Sequence, residues 1–408
     1  MRIAFDAKRA FHNGTGLGHY SRTLIHSLAT SFPQHQYYLL NPKPASLFSV
    51  TGPNLEEISP PPLLPGFLRG YWRTKSCVQD LADQGVQLYH GLSHEIPIGL
   101  YKKSIASVVT MHDLIFERYP HQYKWADRKI YRAKFKFALR HADRVIAISE
   151  QTKRDLIEFY QADPAKIRVC YQSCNPLFGT TIAAEEKDRI RIKYKLPAQF
   201  FLSVGSIIER KNLLAVCQAL SLLKKEDRLP LVVIGSGGAY KKKVETFLHE
   251  KGLEQEVIFL SDQPENKKDS AFLTARDLPA IYQNATALLY PSIFEGFGIP
   301  VLEGLFSRIP VLTSTVSCLP EAGGPGAFYV DPFQPEQIAE QLISITTNAE
   351  EVKKKIELGW QHAQQFLPMQ TYLVPTFLSY QRLQFYSAQF YPTKLANEKG
   401  FQQIIWTD

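Results

Sequence analysis

The chain contains no run of about 18 or more apolar residues, the length a membrane-crossing helix needs. Its first residues, Met1-Arg2-Ile3-Ala4-Phe5-Asp6, lack the charged start, apolar stretch and cleavage site of a secretory signal, so a cytosolic protein is expected. Cysteines are few and odd in number. Cys77, Cys170, Cys174, Cys217 and Cys318 form no Cys-x-x-Cys pair, which excludes the zinc-ribbon and dithiol redox classes and leaves reduced, mostly buried thiols. Asp-x-Asp is missing altogether, and with it the usual carboxylate pair for a divalent cation. Zinc-finger, leucine-zipper and RRM-type aromatic signatures are missing too, so no nucleic-acid partner is expected. The net charge of +8 is left to anionic membrane surfaces or phosphate-bearing small substrates.

What is present is a folded composition, 45% apolar and 21% charged, over 408 residues, more than one core usually organises. Short apolar runs alternate with helical patterns. Strands are expected at Arg2 to Phe5, Tyr37 to Leu40, Gln87 to Tyr89, Ser107 to Met111, Arg144 to Ile148 and Ile167 to Cys170. Helices are expected over Tyr20 to Thr30, Trp125 to Arg140 and Glu150 to Tyr160. The rhythm restarts with strands at Phe200 to Val204, Leu231 to Ile234, Val257 to Leu260, Ala287 to Tyr290, Val311 to Thr313 and Ala327 to Val330. Gln172 to Glu186, with its Asn175-Pro176 and Gly179-Thr180-Thr181 turns, reads as the linker. The fold class is therefore α/β, two doubly wound Rossmann-like domains facing a central cleft, with ligands at the carboxyl ends of the strands. Pro60 to Trp72 breaks the pattern and reads as a mobile surface loop because of its prolines, either a plain connection or, given its apolar and aromatic content, one that contacts acceptor or membrane.

Four segments carry chemistry. Asn13-Gly14-Thr15-Gly16-Leu17-Gly18-His19-Tyr20 follows the first strand and opens a helix, where backbone N–H groups can approach an anion; a plain tight turn uses the same glycines. Gly235-Ser236-Gly237-Gly238 ends another strand, with no acidic ribose ligand about twenty residues on, so it fits a nucleotide-proximal turn better than a nicotinamide site. Gly205 is followed by Arg210 and Lys211, a guanidinium fork beside a point charge that together suit a diphosphate. The bland reading of that dipeptide is a solvated surface.

Tyr290 to Gly304 reads as strand, glycine loop and a helix starting near Pro300. Glu295 lies in the loop before Gly296 and Gly298, where a purely structural carboxylate has little purpose. Glu303 would fall in the helix's first turn, either as a hydroxyl ligand or as a carboxylate opposing the helix dipole. Their spacing does not fix the separation of about 5 Å or about 6.5–9.5 Å that a glycosidase pair needs, so they read as hydroxyl binders. His112, with Asp113 beside it, closes a first-domain strand and would point into the cleft.

With these residues in view the chain resembles the retaining glycosyltransferases of the GT-B fold, specifically the family 4, or group 1, bacterial sugar transferases. The resemblance runs from the Gly14-to-Tyr20 loop to about Asp331. It is most specific in Glu295 to Glu303 with Gly304-Leu305-Phe306-Ser307-Arg308-Ile309-Pro310-Val311 and Glu321-Ala322-Gly323-Gly324. Ala142 to Lys153 and Gly205 through Asn212 match as well. The resemblance implies an acceptor-side domain over residues 1–175, joined by a helical tail of about 375–408 crossing back, and a donor domain over 176–374. It implies that Arg210 and Lys211 hold the diphosphate of a nucleotide-sugar donor, Glu303 the ribose, Glu295 the hydroxyls of the transferred sugar and Gly16 a phosphate. Gly18, Gly205, Gly235, Gly296, Phe297, Gly298 and Leu302 would line the donor site, and His112 would contact the donor sugar. Such enzymes retain the anomeric configuration without a cofactor. With no carboxylate pair for a metal, Arg210 and Lys211 would do its electrostatic work. A unit charge pair at 4 Å and an effective dielectric of 20 contributes about 4 kcal/mol, roughly 10³ in rate if felt only in the transition state.

Mannose from GDP-mannose is the leading donor by resemblance, with UDP-hexoses behind it and a glycan or lipid-linked acceptor. Ser261 to Thr274 is longer and more polar than the family's usual turn near the nucleobase, and Phe385 to Tyr391 in the tail is unusually aromatic. The basic, aromatic stretch Tyr123 to Arg140 reads either as an ordinary solvated helix face or as a peripheral contact with anionic membrane. The competing readings are a sugar-nucleotide epimerase of similar build and a non-catalytic sugar-nucleotide-binding partner.

Overall fold

The computed structural model describes residues 1–14, 16–45, 47–367 and Tyr380. Each half is built on a parallel sheet whose strands are mostly buried on both faces, as their Val/Leu/Ile-rich sequences require. The first sheet comprises β1 (Arg2–Asp6), β2 (Gln36–Leu40), β3 (Leu55–Ile58), β4 (Leu88–Gly91), β5 (Ala106–Met111), β6 (Arg144–Ala147) and β7 (Ile167–Val169). The second comprises β8 (Phe201–Val204), β9 (Leu231–Ile234), β10 (Val257–Phe259), β11 (Ala287–Tyr290), β12 (Val311–Ser314) and β13 (Phe328–Val330). Their orders are β3-β2-β1-β4-β5-β6-β7 and β10-β9-β8-β11-β12-β13, so both reverse direction beside their first strand. The switch points fall between β1 and β4 and between β8 and β11, where open α/β sheets bind ligands.

Two expectations change. β3 was not anticipated, because Glu56 and Glu57 give this exposed edge strand no apolar alternation. The Pro60–Trp72 segment is irregular only as far as Pro65. From Gly66, where backbone donors return, it forms a 3-10 turn (Gly66–Leu68) that runs through Arg69–Tyr71 into a π-helical stretch, Trp72–Ser76. Trp72 is buried there and its indole N–H donates to Asp80 Oδ2 at 2.6 Å.

Five free cysteines are buried. Tyr380 packs in the first-sheet core, its hydroxyl 2.5 Å from His90 Nδ1; the rest of the tail expected to cross back, including Phe385 to Tyr391, lies outside the described residues. Among the described residues no helix is long and apolar enough to cross a membrane.

Candidate active site

In the second domain, the chain leaves β8 through Gly205, and β9 through Gly235. These two turns are zipped together: Gly205 N–H donates to Ile234 O at 2.9 Å and Ile207 N–H to Ser236 O at 2.8 Å. A Cβ on Gly235 would lie 1.8 Å from Gly205 O, so glycine is needed for this contact itself. Gly235 N–H in turn donates to Ser261 Oγ at 2.9 Å, which brings the start of the Ser261–Thr274 segment to the same strand ends.

Beyond Gly205 a 3-10 turn, Glu209–Lys211, presents the two cations. Asn212 ends it at φ 61°, and its side-chain amide ties the turn to Pro291 O at 3.1 Å and Pro332 O at 2.6 Å. That clamp sets Arg210 and Lys211 against the loop after β11. One oxygen of Glu295, Oε1, lies 2.7 Å from both Arg210 Nη1 and Lys211 Nζ, and accepts from the Tyr290 hydroxyl at 3.1 Å. Arg210 also donates to Phe294 O, and Lys211 to the Tyr290 hydroxyl, whose ring centre is 4.6 Å from the ammonium. Among the described residues no hydrogen bond to Glu295 Oε2 is formed, so the carboxylate keeps an acceptor for a ligand.

Burial pushes the Glu295 carboxyl up, but Lys211 and Arg210 outweigh it and hold its pKa down at about 2. Burial lowers the Lys211 ammonium despite Glu295 beside it; for Arg210, burial is outweighed by Glu295 and the pKa rises. The group is thus two cations on one anion, a net positive site out of water. Tyr290 and Asn212 carry no local signal of this role in the sequence, where they look like a strand-end tyrosine and a turn asparagine.

Gly298, at φ 111°, starts the helix Ile299–Phe306. Glu303 is therefore beyond the first turn, not in it, because the helix begins one residue before Pro300 and no acidic residue occupies its first turn. Its carboxylate instead accepts from the Tyr282 hydroxyl at 2.7 Å, and burial raises its pKa to about 7. Phe297 and Leu302 turn their side chains into the core, Phe297 against Tyr171 and Phe366, which leaves only their main chain for a ligand.

Across the cleft, the helix Gly16–Ser31 begins earlier than its sequence pattern indicates, so Gly16 and Gly18 belong to its first turn. A Cβ on Gly18 would meet Asn13 O at 1.8 Å, whereas one on Gly16 would meet nothing within 4 Å. Gly18 is thus required by the turn, and Gly16 faces open space. His112 is buried, and both its ring nitrogens are engaged. Nε2 donates to Leu92 O at 2.8 Å, which leaves Nδ1 to accept from the Gln172 amide at 3.2 Å. Burial lowers its pKa to about 3, so the ring is neutral.

The two halves meet beside this histidine. Gly296 lies against it so closely that a Cβ there would be 2.3 Å from His112 O. Ser149 Oγ donates to Gly296 O at 2.7 Å. Glu321 reaches over from the second domain to accept the Glu150 and Gln151 N–H groups at 2.7 and 2.9 Å, capping the helix Glu150–Tyr160. His112, Asp113, Glu295 and Arg210 are thereby brought to one place. Among the described residues no three His, Cys, Asp or Glu side chains converge as a cation site.

Comparison with known proteins bears on the family and the fold. Residues 185–359 match the family model described as glycosyl transferases group 1, and residues 14–176 that described as glycosyltransferase family 4. The chain is 27% identical over 359 residues to O-antigen chain mannosyltransferase B of Escherichia coli, covering 84% of this chain and 90% of that protein. It is 28% identical over 224 residues to the Salmonella typhimurium O-antigen chain mannosyltransferase RfbU, but that match spans only 55% of this chain and 56% of the relative. The structure of Anabaena HepE in complex with UDP superposes with a TM-score of 0.70 at 15% identity, covering 93% of this chain and all of that one, a likeness of fold. With both halves matched in order and the GT-B architecture in place, the chain belongs to the group 1 glycosyltransferases of bacterial type.

Proposed function

We propose that the protein is a retaining, metal-independent hexosyltransferase that moves mannose from GDP-mannose to a glycan or lipid-linked acceptor in cell-surface polysaccharide synthesis. The observation that carries this is Arg210 and Lys211 converging on Glu295 Oε1 at a sheet switch point. Held by Glu295, Tyr290 and the Asn212 clamp, the guanidinium fork and the ammonium take up charge developing on a departing diphosphate with little reorganisation. Glu295 Oε2 accepts from a hydroxyl of the transferred sugar, and Glu303 from the ribose. The anomeric carbon's bond to the phosphate oxygen breaks as its bond to the acceptor oxygen forms on the same face, and the acceptor's proton passes to the phosphate. His112 has its ring nitrogens occupied, its N–H on His94 Nε2 at 2.9 Å and its carbonyl taking the Thr152 hydroxyl at 3.2 Å, so it serves the donor sugar only through the ring's edge. Mannose rests on the two relatives named as O-antigen mannosyltransferases, and the UDP in HepE keeps UDP-hexoses as the competing donors.

Isothermal titration with GDP-, UDP- and ADP-sugars in EDTA tests the donor. GDP-mannose should bind without metal, and Arg210→Ala should weaken it by roughly tenfold or more. No binding in EDTA, or equal binding by the variant, would remove the assigned role. Proton NMR of the product's anomeric signal tests retention.

Peripheral membrane contact belongs to the same reading. Leu63 (95% exposed), Phe67 (84%) and Trp125 (66%) project apolar surface, and Lys124, Lys136 and Arg140 make no ion pair among the described residues. Arg132 and Lys134 of the same basic stretch are already held by Glu117 and Glu95, so the charge left for lipid is smaller than the sequence implies. Sedimentation with anionic vesicles at low and high salt tests it; no binding at low salt ends the idea.

A further inference from the structure

Asp113 stands at the end of β5 with none of the work of the donor site assigned to it. Its Cβ is 3.2 Å from where a Cβ on Gly296 would be, so it sits at the seam of the two domains, next to the loop that carries Glu295. Oδ1 accepts from the Ile115 N–H at 3.1 Å, and among the described residues this is the carboxylate's only hydrogen bond; it forms no ion pair within 4.0 Å. Burial raises its pKa, while the Arg210 charge opposes that rise, so the carboxylate and the donor-side guanidinium feel each other across the seam.

Aromatic rings surround the same corner. Tyr119, from the first domain, meets Phe294, from the second, with ring centres 5.7 Å apart. Tyr119 and Tyr123 are half-buried, and the charges of Arg210 and, for Tyr123, of Asp113 act on their hydroxyls. A carboxylate with a free oxygen, bordered by tyrosines that combine an apolar face with a polar tip, matches a pyranoside: hydroxyls at its rim and C–H groups on its face.

We propose that Asp113, Tyr119 and Tyr123 form the binding site for the terminal hexopyranoside of the acceptor, with Asp113 Oδ2 receiving a hydrogen bond from an acceptor hydroxyl and the tyrosines covering a ring face. The site lies across from the Arg210–Lys211–Glu295 group, so a sugar held there faces the donor. This rests on the glycosyl-transfer reading above. Asp113 is an acceptor-binding residue; it forms and breaks no bond.

The test uses octyl α-D-mannopyranoside as the acceptor probe and GDP as the donor-side probe, each titrated separately by NMR into the full chain, Asp113→Asn and Tyr123→Ala, with melting curves to verify folding. The mannoside should bind the wild type, and Asp113→Asn should weaken it by roughly ten- to a hundredfold, since an N–H₂ replaces an acceptor. Tyr123→Ala should weaken it as well, and GDP affinity should stay within about threefold in both. A wild type that binds GDP and not the mannoside, or variants that bind the mannoside as well as the wild type does, would overturn the proposal. Failure of the donor reading shows separately, as absence of GDP binding in every protein.

Discussion

Replacing Glu295 by Gln asks whether its charge is held in place as the geometry indicates. The carboxylate takes Arg210 and Lys211 on one oxygen at 2.7 Å each, and its pKa falls from 4.5 to about 2 even though burial alone would raise it. A folded pKa below the unfolded one means that the ionised form favours the folded chain. About 2.5 units at roughly 1.4 kcal/mol each give on the order of 3 kcal/mol. That contribution is complete above pH 4.5 and is lost as the pH falls through about 2. Glutamine is close in shape to the protonated acid, and it leaves the two cations facing each other without an anion. In thermal unfolding at pH 7, Glu295→Gln should melt several degrees below the wild type, by roughly 2–4 °C for each kcal/mol in a domain of this size. The gap should narrow steadily as both are titrated below pH 4.5. Equal melting at pH 7, or a gap as wide at pH 3.5 as at pH 7, would refute the charge assignment.

Glu303 should behave with the opposite sign. Its folded pKa is raised to about 7, so stability present below 4.5 is lost as the pH rises through 7; Glu303→Gln should match the wild type at pH 4 and melt above it at pH 8, while binding the donor less well. Gly16→Ala should leave the melting temperature unchanged or slightly raised, as expected for alanine in a helix, whereas Gly235→Ala should lower it by several degrees, because its Cβ overlaps Gly205 O. A loss of donor affinity in Gly16→Ala then reports ligand contact and not misfolding. Glu321→Gln should speed hydrogen exchange at the Glu150 and Gln151 amides and raise the acceptor KM more than the donor KM or the fall in kcat; unchanged exchange would show that the cross-domain cap is idle.

The elements that repeat a local rule were legible from the sequence. Every strand with a continuous apolar run, such as Leu231–Ile234 and Ala287–Tyr290, lies where its run lies, because a strand buried on both faces has nothing else to show. β3 escaped because an edge strand with Glu56 and Glu57 looks like a loop. The cations were legible as strand-end residues after a glycine, but not that Tyr290 and Asn212 fix them, since those contacts span 79 residues or more of chain from Lys211 and Asn212. Pro300 marks the helix start one residue late in the sequence, which is what puts Glu303 in an expected first turn. Gly298, through its positive φ, is the residue that sets it.

The contacts between the domains bear on how the site can open. At the seam, Gly296 packs on His112 O, Ser149 donates to Gly296 O, and Glu321 caps a first-domain helix through main-chain N–H groups. The polar contacts named here join side chains to main chain, and none is a short ion pair between side chains, since Arg154 and Glu321 are 3.7 Å apart and both partly solvated. The neutral Ser149 bond contributes about 1 kcal/mol, and those to the Glu321 carboxylate about 1.5–3 kcal/mol each. They fix the register of one half on the other. Arg210 and Lys211, by contrast, are held wholly within the second domain by Asn212, Tyr290 and Glu295. A swing of one domain would therefore carry the Arg210–Lys211–Glu295 group as a unit and move Asp113 and His112 relative to it. Donor affinity should then depend little on closure, and acceptor affinity strongly, which makes loss of the Glu321 cap felt first at the acceptor.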